Sequence, residues 1–362
     1  MTDKIFFKEC TPAELEDWVQ QAGQPRYRAQ QLLNWVYRRQ VEDVQAMTNL
    51  SKEFRSWLRG RLLMRSMECV DCLQDSDGTR KLIFRLSDGR QVESVLIAEE
   101  ARLTLCLSTQ VGCGFGCRFC LTGRLGLQRN LSAGEIVEQF CAARRQLASE
   151  ERITNLVFMG MGEPLANLQQ VLKSLEILTS SKAVDFSPRR ITVSTVGLVP
   201  QMERLGDRFP VNLAVSLHAA DNETRTMLMP VNRKYPLEEV LECCRRLPLK
   251  PRQRITFEYL LLRGVNDSDE AASKLARLLT GMKAKVNLIP FNDYPGAEFS
   301  RPSASRIEAF RQILVAHHLT ATVRQSRGTS ILAACGQLGT GGQSRGHEFL
   351  SEKSHLAGRS PL

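Results

Sequence analysis

Leu103-Thr-Leu-Cys106-Leu-Ser-Thr-Gln-Val-Gly-Cys113-Gly-Phe-Gly-Cys117-Arg-Phe-Cys120-Leu-Thr-Gly123 is the stretch on which the fold turns. Thr104 to Ser108 read as a short strand, and the loop that follows carries Cys113, Cys117 and Cys120 at C-x3-C-x2-C spacing. Thiolates on tightly turned loops hold iron–sulfur clusters, and the glycines among these cysteines let the backbone fold around one. Three thiolates are one fewer than a cubane takes, so one iron is left to bind something else. A zinc site would need a fourth protein ligand, and the nearest candidate, Cys106, stands on the strand rather than in the loop.

Outward from this loop, strands and helices alternate. Ser132-x-x-Glu135 is a capping box that opens a helix running through Gln146. The strand Asn155-Leu-Val-Phe leads into the loop Gly160-Met-Gly-Glu-Pro164 and another helix. Further strands are expected at Arg190 to Ser194, Asn212 to Leu217, Arg254 to Leu262, Lys285 to Ile289 and Thr320 to Arg324. Segments of helical period separate them, as in Asp269 to Leu279 and Arg306 to His317. Repeated βα units predict an α/β fold with a parallel sheet buried on both faces and closed, or partly closed, as a barrel. Barrels place chemistry at the carboxyl ends of their strands. The cysteine loop, Gly162-Glu163, Ser194, Ser216-Leu-His218 and Asn292 all fall at such ends.

The flanks read differently. Residues 1–65 are expected to be a helical domain, with a capped start at Thr11-Pro-Ala-Glu-Leu, a helix from Tyr27 to Arg39 and a third around Leu50 to Leu63. The third sets Lys52, Arg55, Arg59, Arg61 and Arg65 among Phe54, Trp57 and Leu58, a pattern that suits RNA and equally a solvated helical face. Residues 66–102 alternate in period two around the turn Ser87-Asp-Gly and predict a β-hairpin linker. Residues 103–340 make the main domain, and 341–362, rich in Gly, Ser and charge, read as a flexible tail. Cys69 and Cys72 form C-x2-C without a second pair at zinc spacing, and Cys141, Cys243 and Cys244 read as packing residues.

The chain of 362 residues carries 49 Lys+Arg against 39 Asp+Glu, a net charge of +10. Such a balance suits a polyanion, most often nucleic acid. Neither a secretory signal nor a membrane-spanning apolar run is visible, so a cytoplasmic protein is expected. In that reducing compartment the 11 cysteines speak for metal or redox chemistry rather than a disulfide scaffold.

C-x3-C-x2-C is the signature of the radical S-adenosylmethionine (SAM) superfamily, and Gly162-Glu163-Pro164 resembles the motif with which that superfamily grips the SAM amino group. A closer resemblance runs through Ser108-Thr-Gln-Val-Gly-Cys113, Phe158-Met-Gly-Met-Gly-Glu-Pro-Leu165, Ser216-Leu-His-Ala219 and Ala333-Ala-Cys-Gly-Gln-Leu338. These segments are similar to the RlmN/Cfr family of RNA adenine methyltransferases. The resemblance implies a partial (β/α)6 radical-SAM barrel, a [4Fe–4S] cluster on Cys113, Cys117 and Cys120, and two SAM molecules per turnover. It implies 23S rRNA as partner, tRNA beside it, a flavodoxin- or ferredoxin-type electron donor, and a monomer.

Adenine C2 is electron-poor and has no lone pair, so it does not take a methyl directly from SAM. By resemblance, Cys335 accepts the methyl first, as a thiolate nucleophile, and a 5′-deoxyadenosyl radical from a second SAM turns that methyl into a carbon radical. Cys106 corresponds to the thiol that resolves the RNA adduct by forming a disulfide with Cys335, and Glu93 to the proton acceptor. Gly162, Glu163, Ser194, Ser216, Leu217, His218 and Asn292 correspond to the SAM contacts. Family members carry acidic residues just before the methyl-bearing cysteine, whereas Gly328-Thr-Ser-Ile-Leu-Ala-Ala-Cys335 has none. Gly114-Phe-Gly-Cys117 leans towards Cfr and its C8 product; Pro164 and Ile289-Pro-Phe-Asn292 lean towards RlmN and C2, the expected product. A radical SAM activase of a protein partner is the alternative from another class, and it would need neither the cysteine pair nor a basic helical domain.

Overall fold

The structure is a computed structural model and describes residues 4–339; the tail read from 341 onward lies outside them. Ten strands form one sheet: β1 Met67–Gln74, β2 Arg80–Leu86, β3 Gln91–Glu99, β4 Arg102–Cys106, β5 Asn155–Phe158, β6 Ile191–Thr195, β7 Asn212–Ser216, β8 Ile255–Leu261, β9 Ala284–Pro290 and β10 Ala321–Val323. They lie side by side in chain order. From β4 to β10 every neighbour is parallel, with helices in each crossover, which makes six βα units and a seventh strand. The chain is therefore an α/β protein with a partial barrel. Strands such as β7 and β8 are buried along nearly their whole length, as expected where helices cover the sheet.

The segment expected as a hairpin is larger than that and joins the barrel. β1, β2 and β3 are antiparallel to one another, and β3 pairs antiparallel with β4, Val95 opposite Cys106. The sheet thus continues past its first barrel strand instead of closing on β10. Period-two alternation identified the strands but carries no record of which edge they join.

The N-terminal helices are Pro12–Gln21, Tyr27–Leu33 and Lys52–Arg59. Thr11 and Glu14 form a reciprocal capping box with Pro12 at the first helical position. The second helix does not run on to Arg39 as one α-helix. It widens into a π-turn at Asn34–Arg38, which brings Trp35, Val36 and Tyr37 into the core together.

This domain packs on the helix Ala133–Arg145, whose residues 133–143 are all buried as a result. Gly134 is required here, because a Cβ would run into the Phe6 ring. Lys8, fully buried, holds Glu42 and Glu138 at 2.6 Å each, and Arg145 bridges the same two carboxylates. Removing one partner from such a pair typically costs about 3–5 kcal/mol, because a buried charge is left uncompensated. Arg65, read as part of a basic face, pairs with Glu42 instead.

Candidate active site

The cysteine loop leaves β4 and is framed by a short ribbon, Gln110–Gly112 against Leu127–Asn130. Backbone bonds fix its shape: Cys113 N–H donates to Gly126 O at 3.0 Å and Cys120 N–H to Cys117 O at 3.1 Å. Cys113, Cys117 and Cys120 line one cavity of about 160 Å³ at the carboxyl ends of the strands. Burial pushes the Cys113 thiol up to about 11, and it raises Cys117 and Cys120 as well. Left to themselves these thiols stay protonated, and they become ligands when a cationic metal centre displaces the protons. Among the described residues no group of three or more His, Cys, Asp and Glu is arranged to hold a metal ion. Three thiols spread around a cavity suit a cluster, in which separate irons each take a thiolate.

Glu163 faces the same cavity. Its carboxylate accepts from Leu165 N–H and Val196 N–H, both at 2.9 Å, and its own N–H donates to Gln110 Oε1 at 2.8 Å. Burial, opposed by those backbone donors, pushes this carboxyl up to about 7. Gly162 has φ +95°, and a Cβ there would lie 2.5 Å from Gln110 Cβ.

Ser194, Ser216 and His218 complete the wall from the ends of β6 and β7. Burial, with Arg225 adding to it, lowers His218 to about 3, so the ring is neutral. Its Nδ1 accepts from Leu260 N–H at 3.0 Å, which leaves the proton on Nε2, and Phe119 of the cysteine loop meets the ring edge-on.

A second, smaller cavity of about 90 Å³ adjoins the first, and Cys120 and Cys335 line both. Cys106, the last residue of β4, also lines the smaller one. The two thiols that the sequence set more than half the chain apart therefore face one space. Burial, with the Cys335 sulfur nearby, pushes Cys106 up to about 12.

The Cys335 loop is tied down from several directions. Leu121 N–H donates to Gly336 O at 2.8 Å, linking it to the cysteine loop. Ser330 N–H donates to Asp75 Oδ2 and Gly328 N–H to Asp77 Oδ2, both at 3.0 Å. The acidic groups absent from residues 328–335 thus come from the turn between β1 and β2.

Three residues read as site groups lie elsewhere than in the main cavity. Asn292 lines the smaller cavity, accepts from Ser326 Oγ and donates to Cys335 O at 3.4 Å. Leu217 has its side chain in the core and faces neither cavity; its carbonyl accepts from Arg225 Nε. Glu93 is buried on β3 beside Lys81, accepts from Gly339 N–H at 3.0 Å and lines neither cavity.

Two arginines were not singled out from the sequence. Arg324, one position past β10, lines both cavities, and its place at a strand's carboxyl end was a usable signal. Arg225 is fully buried, forms no ion pair among the described residues, and spends its donors on carbonyls of Val196, Ser216, Leu217 and Tyr235 and on Asn232 Oδ1. It staples the ends of β6 and β7, and nothing in its local sequence announces that.

Comparison with known proteins agrees with this geometry. Residues 107–276 match the Radical SAM superfamily and residues 7–63 the ribosomal RNA large subunit methyltransferase N-terminal domain. The dual-specificity RNA methyltransferase RlmN of Syntrophobacter fumaroxidans is 52% identical over 336 residues, covering 93% of this chain and 98% of that protein. The chain belongs to the RlmN family. RlmN of Geobacter sulfurreducens is 50% identical, with 93% of each chain covered. The crystal structure of a radical SAM methyltransferase from Sphaerobacter thermophilus superposes with a TM-score of 0.88 at 49% identity, over 91% of this chain and 98% of that one. The protein is a radical SAM RNA methyltransferase whose cofactors are a [4Fe–4S] cluster and SAM. None of its described helices is long and apolar enough to cross a membrane.

Proposed function

We propose that this enzyme methylates C2 of one adenine in 23S rRNA and of the adenine beside the anticodon in tRNA, by a ping-pong route through Cys335 and Cys106. The observation that carries this reading is that both thiols line one cavity of about 90 Å³, next to the cavity lined by Cys113, Cys117 and Cys120. A methyltransferase that moved its methyl straight from SAM to a nucleophilic atom would have no use for such a pair.

In this scheme Cys335 attacks the SAM methyl; a carbon–sulfur bond forms and S-adenosylhomocysteine leaves. A cluster held by Cys113, Cys117 and Cys120 would supply the electron that splits a second SAM into methionine and a 5′-deoxyadenosyl radical. Hydrogen abstraction from the S-methyl group gives a carbon radical that adds to the ring. Loss of the C2 proton and of one electron, which the cluster would take back, restores the aromatic ring. Cys106 then attacks the Cys335 sulfur as a thiolate, so the bond to the RNA carbon breaks, a disulfide remains and the released carbon takes a proton to become the methyl group. Glu93 is the proton acceptor, and the strand pleat turns it to the same face as Val95, the partner of Cys106.

Glu163, fixed by two backbone donors, meets the SAM ammonium, and Gly162, Ser194, Ser216 and His218 shape the rest of its pocket, with Leu217 holding the chain between the last two and Asn292 behind. Residues 1–65 bind RNA, and a flavodoxin- or ferredoxin-type protein reduces the cluster of a cytoplasmic monomer. Nucleoside mass spectrometry of transcribed 23S rRNA and tRNA after incubation with the reconstituted enzyme tests the product. 2-Methyladenosine in both is expected; 8-methyladenosine, or no methyl on either RNA, would overturn the reading.

A further inference from the structure

The end of the barrel remote from the active site carries an unusual charge distribution. Arg189 and Arg190 precede β6, Lys250, Arg252 and Arg254 precede β8, and Lys283 precedes β9. All six are exposed, and among the described residues none forms an ion pair. Because β6 to β9 are parallel neighbours in chain order, these residues follow one rim. Arg189, Lys250 and Arg252 line a common depression of about 520 Å³.

Two ordinary explanations fall short. Helix carbonyl ends attract cations only within the last turn, which suits Arg208, the last residue of the helix Val199–Arg208. Arg189 and Arg252 lie well beyond the helices that end at Thr179 and Arg246. A rim kept soluble by charge mixes both signs, whereas here Asp207 is the acidic side chain in the segments 187–190, 206–211, 248–254 and 280–283.

We infer that this rim is a second RNA-backbone contact, used by a large folded substrate; the inference rests on the RNA-methyltransferase reading above. The rim is continuous with the N-terminal domain, because the loop leading to Arg189 is held by it. Gln30 donates to Lys182 O at 3.0 Å, Arg38 to Ser181 O at 2.8 Å, and Lys182 pairs with Glu16 at 2.6 Å. RNA lying on residues 1–65 therefore reaches the rim without leaving protein. An acidic electron-donor protein fits less well, since electrons must enter near the cysteines at the other end. The seven-residue β8 alone separates the two ends by about 20 Å. The same distance means that a stem–loop trimmed to a few base pairs around the target adenine stops short of the rim, while a large RNA does not.

The test is the reconstituted holoenzyme with Arg189→Glu, Lys250→Glu and Arg252→Glu combined, compared with wild type for binding to full-length transcribed 23S rRNA and to a stem–loop cut around the target adenine. Losing three phosphate contacts should weaken full-length binding about tenfold and flatten its salt dependence, with the stem–loop affinity unchanged. Equal affinity for full-length RNA, or an equal loss on both RNAs, would overturn the proposal. So would unchanged RNA binding accompanied by weaker binding of flavodoxin, which would give the rim to a protein partner. Methylation by the wild-type enzyme is scored separately, so a failure of the functional reading is not confused with a failure of the rim.

Discussion

The molecule contains two sets of sulfur atoms, and they are built in opposite ways. Cys113, Cys117 and Cys120 come from one loop shaped mainly by its own backbone bonds and the ribbon that frames it, with single ties from Arg118 N–H to Leu228 O and from Leu121 N–H to Gly336 O. Cys106 and Cys335 come from the first barrel strand and from beyond the last, and they share a cavity only because the sheet is curved and the Cys335 loop is pinned. A local site survives damage elsewhere; an assembled site depends on every tie that brings its halves together.

Separating the two sets gives the largest expected effects. With Cys335→Ala, labelled methyl from SAM should appear on neither protein nor RNA, while iron content stays at the wild-type level. Methylated RNA from this variant would end the ping-pong scheme. Cys106→Ala should stall one step later, with RNA joined to Cys335 by a link that survives denaturation and is seen as a slow band on a denaturing gel. Free product RNA in normal yield would remove Cys106 from the mechanism.

A subtler cut goes through the tie rather than the thiol. Asp75→Ala removes the acceptor of Ser330 N–H, a charge-assisted bond whose loss costs about 1.5 kcal/mol, close to a tenfold rate change. RNA methylation should fall about tenfold with the iron content unchanged. A parallel loss of iron would mean that the two sets are not independent.

The smallest effect concerns pH. Burial raises Glu163 to about 7, so its carboxyl is protonated below that pH and charged above it. If it meets the SAM ammonium, SAM affinity measured by equilibrium dialysis should strengthen a few-fold as pH rises through about 7, and Glu163→Gln should flatten the curve. An equally steep curve in the variant would assign the titration to another group.

Much of the fold was legible because its signals are local. The cap at Thr11 and the capping box at Ser132 formed as read, and seven strands with helices between them produced a parallel sheet in chain order. What failed to be legible was association. Alternation in residues 66–102 could not say that β3 would pair with β4, and a single helix to Arg39 gave way to a π-turn under the demands of the core. Residues named for their motif also separated in space: Ser216 and His218 face the main cavity while Leu217 between them points into the core.

The sequence by itself determined the cysteine loop, the G-E-P turn and the run of βα units, since each depends on spacing within a few residues. Tertiary structure decided the rest of the chemistry. It set Cys106 and Cys335, linked until then by resemblance alone, on one cavity, brought the Asp75 and Asp77 carboxylates to the loop before Cys335, and put Arg225 under two strand ends. The physical reason is range. A turn or a cap is fixed by bonds between neighbours, whereas two thiols on one cavity or a stapling arginine exist only once distant segments have packed together.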